Sequence, residues 1–317
     1  MGKSISMFLA GALVGGLATA ALFSVYLSRQ TGGGAADQLV LKLGHSLDTG
    51  HPVHRAMVQM KERLEELSAG RVTVDIYPSG VLGSEPQAIE QLQSGTLAMT
   101  KTSAAAMESF IPEMAVFGMP YVFRDSDHFW AVLNGDIGRE LLAKGEERYL
   151  RGLCYYDAGS RNFYTVDAPV RTPVDLQGLK IRTQNSKTAM DMVSAMGGAP
   201  TPIAWGELYT ALAQGTVDGA ENNLPSFYSN KHYEICKHFS LDGHTRVPDL
   251  LLVSTKIFDQ LDPQVQAWLQ QAADESRDVQ RALWQEETAR AATGVEAEGV
   301  TIYEVDTAAF ADEVQPM

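Results

Sequence analysis

Three motifs between Gly159 and Asn223 carry most of the information in this chain. They read GSRNFYT (159–165), DLQGLKIRTQNS (175–186) and PTPIAWGELYTALAQGTVDGAENN (200–223). In the second motif, Leu179 and Ile181 alternate with polar neighbours, which predicts a strand that turns Arg182 away from the core. A guanidinium held in that position offers a planar fork of donors that matches a carboxylate. A second arginine, Arg161, lies on a separate predicted strand.

The third motif adds an aromatic ring and two amides. Trp205 lies just before a helical stripe, and the tight Asp218-Gly219 turn leads into Asn222 and Asn223. A cation, an aromatic ring and amide donors are what a protein needs to hold a small polar anion. No obvious nucleophile or base accompanies them, so the pattern favours binding over catalysis.

Composition narrows the class of partner. The chain has 317 residues, 45% of them hydrophobic and 20% charged, which is typical of a globular protein large enough for two cores. Its formal net charge of −14 argues against nucleic acid or an anionic membrane surface as a partner. An acidic protein that captures an anion must create a locally positive pocket, which draws attention to the few well-placed arginines.

The N-terminus predicts export. Residues 5–27 carry no charge and follow Lys3, and small residues at 18–20 suit a signal-peptide cleavage site. The run is also long enough for an uncleaved membrane anchor. Either way residues 1–36 would comprise this segment and a Gly-rich tether. The two cysteines, Cys154 and Cys236, lie in apolar contexts and could be free or joined in a disulfide.

Strand and helix patterns alternate along the rest of the chain. A strand at 39–43, a helix after Pro52, a strand at 72–76, a helix capped by Ser84 and a short strand at 97–100 predict an α/β fold with a largely parallel sheet. From Pro263 onward, apolar residues at helical spacing predict an unusually long helix that could span two lobes. Ligands of such sheets bind beyond the carboxyl ends of the strands.

The chain resembles the solute-binding subunits of tripartite ATP-independent periplasmic (TRAP) transporters from Leu39 to Pro316. The resemblance rests on four motifs in order: YPSGVLGSEPQAIEQLQSGTLAM (77–99), FGMPYVFRD (117–125), DLQGLKIR (175–182) and ELYTALAQGTVDGAENN (207–223). It implies a two-lobed periplasmic solute-binding fold, with hinge strands and a long helix spanning both lobes. We expect residues 37–159 and 248–287 to form the first lobe, and residues 160–247 and 288–317 the second.

The resemblance also implies roles for particular residues. The family's carboxylate anchor falls on Arg182, the covering aromatic on Trp205, and the neighbouring arginine and asparagine on Arg161 and Asn222. GSRNFYT, MTKTSAAAM (99–107) and DGHTRVPDLLL (242–252) look most like members that take sugar acids such as glucuronate and galacturonate. Family members usually continue past the VQP segment, so the C-terminal helix is expected to be shortened here.

A polyol ligand also needs acceptors for its hydroxyl groups. Charged or polar residues near predicted loop ends are candidates: Glu85, Asp157, His45, Lys101 and His244. Each of them could instead be a solvated loop residue or a helix cap. A metal site at His51-x-x-His54 is not favoured because a clear third ligand is missing.

The predicted function is therefore an extracytoplasmic receptor that delivers an organic acid, a hexuronate such as glucuronate or galacturonate, to a TRAP membrane permease. The chain has no G-x-S-x-G, Walker, G-x-G-x-x-G or H-E-x-x-H motif, so neither an enzyme nor a cofactor is expected. The alternatives are a C4-dicarboxylate or keto acid ligand, and a membrane-anchored ligand sensor.

Overall fold

Two β-sheets organise the protein, whose computed structural model describes residues 38–317. The strands are β1 (Leu39–Gly44), β2 (Val72–Tyr77), β3 (Met99–Ser103), β4 (Leu150–Tyr156), β5 (Arg161–Thr165), β6 (Lys180–Thr183), β7 (Ala199–Pro202), β8 (Gly219–Asn222), β9 (His238–Thr245), β10 (Asp249–Ser254) and β11 (Thr301–Glu304). The first sheet has the order β2-β1-β3-β10-β4, and the second has the order β11-β9-β5-β8-β6-β7.

Helices pack around both sheets. They are α1 (Pro52–Leu67), α2 (Glu85–Ser94), α3 (Ala104–Met107), α4 (Ser126–Asn134), α5 (Asp136–Ala143), α6 (Lys187–Ala195), α7 (Leu208–Ala213), α8 (Leu224–Ser229), α9 (Thr255–Phe258), α10 (Pro263–Ala297) and α11 (Thr307–Glu313). Short 3₁₀ turns lie at Pro112–Gly118, Glu146–Arg148, Pro173–Leu176, Trp205–Glu207 and His232–Glu234. The predicted α/β class is thereby confirmed.

One strand in each sheet runs against the others. β10 is antiparallel to β3 and β4, and β5 is antiparallel to β8 and β9, whereas the remaining pairs are parallel. The chain passes from the first sheet to the second through residues 157–160, and returns through residues 246–248. We call these the first and second crossing segments. Tyr156 is in register with Asp249 and Arg161 with Thr245, so the two crossing segments run side by side.

Local signals explain where the elements begin. Ser84 and Gln87 form a capping box at the start of α2, where the Ser84 amide donates to Gln87 Oε1 at 2.9 Å. Gly95 ends that helix in a left-handed conformation (φ 82°). The strand predicted at residues 97–100 lies instead at Met99–Ser103, because Leu97 and Ala98 still belong to the turn after the helix. Lys101 is therefore inside a buried strand and not at a loop end.

Helix α10 connects the two halves of the molecule, as the resemblance implied. It has 35 residues, about 50 Å at the usual helical rise. Leu269 and Ala273 pack into the core of the first sheet, whereas Ala291 and Val295 pack into the core of the second. One rigid element thus contributes to both hydrophobic cores, in agreement with a two-lobed fold. The lobe boundaries given above remain a prediction.

Two predictions concern the ends and the cysteines. The signal or anchor segment and its tether, residues 1–36, lie outside the described residues. Within residues 38–317 no helix combines the length and the apolar character that crossing a bilayer requires. Cys154 and Cys236 are both buried free thiols, Cys154 in the core of the first sheet and Cys236 in that of the second.

Candidate ligand-binding cleft

A cavity of about 610 Å³ lies between the two sheets. Its walls include Lys101 and Asp249 from the first sheet, and Arg182 and Asn222 from the second. Ala158 of the first crossing segment also lines it. Pockets of this size hold small molecules, and polar groups that converge on one volume give them their specificity.

Arg182 supplies an uncompensated positive charge to this cavity. It lies in β6, between β7 and β8, and is only 2% exposed. Its Nε donates to the Ile203 carbonyl at 2.9 Å, whereas its Nη1 is buried without a partner among the described residues. Burial lowers the pKa of Arg182 below its ordinary value, but a guanidinium still remains protonated. A buried cation with a free donor calls for an anion in the cavity.

Arg161 lines the same cavity but is already paired. Its guanidinium bonds the Glu221 carboxylate through Nε and through Nη2, the latter at 2.8 Å from Oε1, and Nη2 also reaches the Glu221 carbonyl at 2.7 Å. Nη1 donates to Asn222 Oδ1 at 3.0 Å. Burial would lower the pKa of Arg161, but the Glu221 charge outweighs it and raises the pKa. The structure therefore gives Arg161 protein partners for all three nitrogens.

The pairing fixes how Asn222 faces the cavity. Its Oδ1 accepts from Arg161 Nη1, from the Asn223 amide at 2.9 Å and from Asn223 Nδ2 at 3.1 Å. The side-chain nitrogen Nδ2 of Asn222 is therefore the group available to the cavity. Asn223 caps helix α8, because its Oδ1 accepts from the Ser226 amide at 2.8 Å.

His244 lies behind the Arg161–Glu221 ion pair and does not line the cavity. Its Nδ1 is 2.6 Å from Asp242 Oδ2, and its Nε2 is 3.3 Å from Glu221 Oε2. Burial lowers the pKa of His244, but the two carboxylates more than offset it and raise it to about 9. The Glu221 pKa falls to about 2 because Arg161 and His244 outweigh the effect of burial. His244 is thus a buried cation that completes the charge balance around Glu221.

The opposite side of the cavity carries a lysine between two carboxylates. Lys101 Nζ lies 3.0 Å from Asp249 Oδ1 and 3.3 Å from Glu85 Oε1. Burial raises the pKa of Asp249 to about 6, and Lys101 limits that rise. Although Lys101 is buried in β3, it stays charged because the two carboxylates raise its pKa by more than burial lowers it. This cluster offers both donors and acceptors to hydroxyl groups.

Trp205, the predicted covering aromatic, is one of the residues that line the cavity. It begins the 3₁₀ turn before α7, and the Arg182 guanidinium carbon lies 5.7 Å from its ring centroid. The His232 ring is 5.2 Å away on another side. The indole therefore packs against the Arg182 guanidinium and limits how far that group can move.

Two further predicted residues lie outside the cavity lining. His45 is buried, its Nε2 lies 2.9 Å from His54 Nδ1, and burial lowers its pKa to about 3. The Asp157 carboxylate accepts from the Gly159 amide at 2.8 Å and has a pKa raised by burial. Both side chains serve local structure, in the turn after β1 and in the first crossing segment respectively. Among residues 38–317, no three His, Cys, Asp or Glu side chains are arranged to hold a metal ion.

Several lining residues were not identified from sequence. Asp249 precedes the apolar run of β10, and the only available signal was an acid at the start of a buried strand. Trp284 of α10 and His51, the N-cap of α1, also line the cavity; the sequence indicated no ligand role for Trp284 and suggested only an unfavoured metal site for His51. Glu221 does not line the cavity itself, and its pairing with Arg161 follows only from the pairing of β5 with β8.

Comparisons with known proteins agree with this architecture. The family model for DctP, described as bacterial extracellular solute-binding protein family 7, matches residues 43–317. A solute-binding protein of Chromohalobacter salexigens is 35% identical over 268 residues, which cover 84% of this chain and 80% of the relative. A TRAP periplasmic solute-binding protein from Bradyrhizobium, solved with galacturonate, is 40% identical with a TM-score of 0.85, covering 87% of this chain and 92% of that one. Another, from Pseudomonas putida F1 with D-glucuronate, is 36% identical with a TM-score of 0.85, covering 88% and 91%.

Proposed function

This chain belongs to the DctP family of bacterial extracellular solute-binding proteins, and from that membership we propose that it captures a hexuronate such as glucuronate or galacturonate. The family consists of substrate-binding receptors of transporters and not of enzymes. Its members bind small organic acids in the periplasm and work with TRAP permeases. We further propose that this chain works with a TRAP permease. We also propose that its N-terminal segment directs its export.

The observation that carries the proposal is the buried guanidinium of Arg182, which lines the cavity with no carboxylate partner and with Nη1 unpaired among the described residues. The ligand carboxylate would pair with Arg182 and accept a hydrogen bond from Asn222 Nδ2. Because Arg182 is buried, such charge-assisted bonds are stronger than they would be on the surface. Arg161 would act through Asn222, whose oxygen it holds.

The Lys101 cluster favours a sugar acid over a dicarboxylate. Glu85 and Asp249 supply two carboxylates for one ammonium group, so this side of the cavity is not a second anion site. A second ligand carboxylate placed there would meet like charges, whereas hydroxyl groups can donate to the acids and accept from Lys101. The solved relatives with galacturonate and glucuronate support the same ligand class.

Ligand binding would work by shifting a conformational equilibrium. The cavity lies between two sheets joined by the two crossing segments, a geometry that allows the halves to close around a ligand. The ligand would favour whichever arrangement it contacts on both sides. The permease would then recognise the closed form, and no covalent bond changes.

A thermal-shift panel tests the ligand class. Glucuronate, galacturonate, hexonates, sialic acid and C4-dicarboxylates are each added to the purified protein. A cognate ligand at ~100 times its dissociation constant should add about 2.7 kcal/mol to the free energy of unfolding. We expect a hexuronate to give the largest shift. A shift with dicarboxylates alone would contradict the proposal.

Arg182→Ala serves as the site variant in the same panel. Its fold should persist, but the ligand-induced shift should vanish because the carboxylate loses its charged partner. Arg171→Ala is the matched control, since Arg171 is exposed and only covers the Tyr303 ring at 5.0 Å. A ligand shift that survives in Arg182→Ala would place the anion anchor elsewhere.

A further inference from the structure

Trp284 forms part of the cavity wall although it belongs to the long helix α10. It is 5% exposed and lines the cavity beside Ala158 of the first crossing segment. Among residues 38–317 its indole N–H has no hydrogen-bond acceptor. The nitrogen is also not fully buried, so a ligand could reach it. A large flat ring with an available donor therefore borders the space that a ligand would fill.

The same indole lies against the main chain of the first crossing segment. Gly159 has a φ of +59°, a left-handed conformation that side chains rarely adopt. A Cβ atom on Gly159 would lie 3.0 Å from Trp284 Nε1 and 3.4 Å from Cζ2. Residue 159 can thus approach the ring this closely because it has no side chain. Any displacement of the indole towards Gly159 would push on the segment that joins the two sheets.

A third contact relates the indole to the second sheet. The His51 ring is centred 5.8 Å from Trp284, and its Nε2 lies 3.2 Å from Ser226 Oγ in α8. His51 Nδ1 accepts from the Val53 amide, which leaves Nε2 to donate to Ser226. Trp284 is therefore connected to the second half through His51, which lies between the indole and Ser226.

We propose that Trp284 contacts the ligand and couples occupancy of the cavity to the position of the first crossing segment. The proposal rests on the proposed sugar-acid function. A sugar ring packs its C–H face on an indole, and a hydroxyl can accept from the indole N–H. With its ligand face occupied and Gly159 on another side, the ring fixes the separation between ligand and crossing segment. Trp284 is thus a positioning residue as well as a contact.

Packing alone is the competing explanation, because Trp284 also belongs to the hydrophobic core of the first sheet. A core residue would affect the melting temperature and leave ligand affinity unchanged. The available N–H and the contact with a left-handed glycine go beyond what core packing needs. The two explanations therefore differ in a measurable quantity, the dissociation constant.

The test compares Trp284→Phe, Gly159→Ala and the double variant by calorimetric titration with galacturonate and glucuronate. Each single variant should weaken binding about tenfold, since Phe lacks the N–H, and a methyl at residue 159 both strains the left-handed main chain and crowds the indole. In the double variant the smaller ring leaves room for the methyl, so the loss should be clearly less than the product of the two single losses. Small-angle scattering should show a smaller ligand-induced compaction in each single variant.

Gly178→Ala is the matched control. Gly178 is also left-handed (φ +81°), but nothing lies within 4 Å of its Cβ position, so this variant should bind as the unaltered protein does. Unchanged affinity in Trp284→Phe, or strictly multiplicative losses in the double variant, would overturn the coupling. If Gly159→Ala does not fold, the affinity of Trp284→Phe alone decides. Failure of the unaltered protein to bind either hexuronate would instead overturn the proposed function.

Discussion

The two arginines that line the cavity differ in their partners. Arg161 is neutralised by Glu221, whereas Arg182 has only a carbonyl and an aromatic face. The sequence was enough to place both at the cavity and to favour Arg182 as the anchor. It could not show that Glu221 holds Arg161, because that pair depends on which strands are neighbours. The ligand contacts themselves remain predictions.

His244 predicts a specific dependence of stability on pH. Its pKa in the folded protein is about 9, above the ordinary 6.5, so the charged ring stabilises the fold fully below pH 6.5. This contribution, roughly 3 kcal/mol at most, should be lost as pH rises through 9. Urea unfolding between pH 6.5 and 9 should therefore show a falling free energy of unfolding.

The comparison variant is His244→Gln, in which that slope should be absent even if the protein is less stable throughout. His128→Gln, a partly exposed surface change, should keep the slope of the unaltered protein. Equal slopes in the unaltered protein and in His244→Gln would show that the ring is not charged in the fold.

At the scale of elements, the sequence predicted helix α10 itself but not the contacts that its buried polar residues make. Its start at Pro263 and its apolar stripe predicted a long helix across both halves. The buried polar residues of this helix were not predicted, since a glutamine in a helix ordinarily faces solvent. Gln280 is fully buried because it binds the main chain of Asp157 twice, accepting from the amide at 2.7 Å and donating to the carbonyl at 2.8 Å.

Gln280→Ala should therefore destabilise the protein by about 1 to 3 kcal/mol, because it leaves two partly buried main-chain groups without partners. Gln271→Ala on the same helix removes only an exposed bond to Glu275 and should change stability by less than about 0.5 kcal/mol. Denaturant unfolding measures both. Similar losses of stability in the two variants would mean that the two hydrogen bonds between Gln280 and Asp157 do not stabilise the first crossing segment.

At the scale of the whole molecule, contacts across the cleft also occur outside the cavity. Glu108 follows α3 of the first half, yet its carboxylate accepts from Ser186 Oγ at 2.5 Å and from Thr188 Oγ1 at 2.9 Å at the start of α6. It also accepts from the Thr188 amide at 3.2 Å. A carboxylate from one half thus caps a helix of the other.

Glu108→Ala should weaken hexuronate binding about 5- to 10-fold without touching the ligand, because the arrangement that encloses the cavity loses these bonds. Titration calorimetry measures the effect. Glu113→Ala in the same segment removes only an exposed pair with Lys144 at 3.3 Å and should leave affinity unchanged. Equal affinities for the two variants would show that the cap contributes nothing to closure.

The two buried thiols give the molecule a built-in pair of reporters. Cys154 is enclosed in one core and Cys236 in the other, and the chain has no third cysteine. An alkylating reagent can reach each sulfur only when the surrounding core opens. The modification rates of the two peptides, followed by mass spectrometry, would therefore time the opening of each half separately, in the natural sequence and without any attached probe.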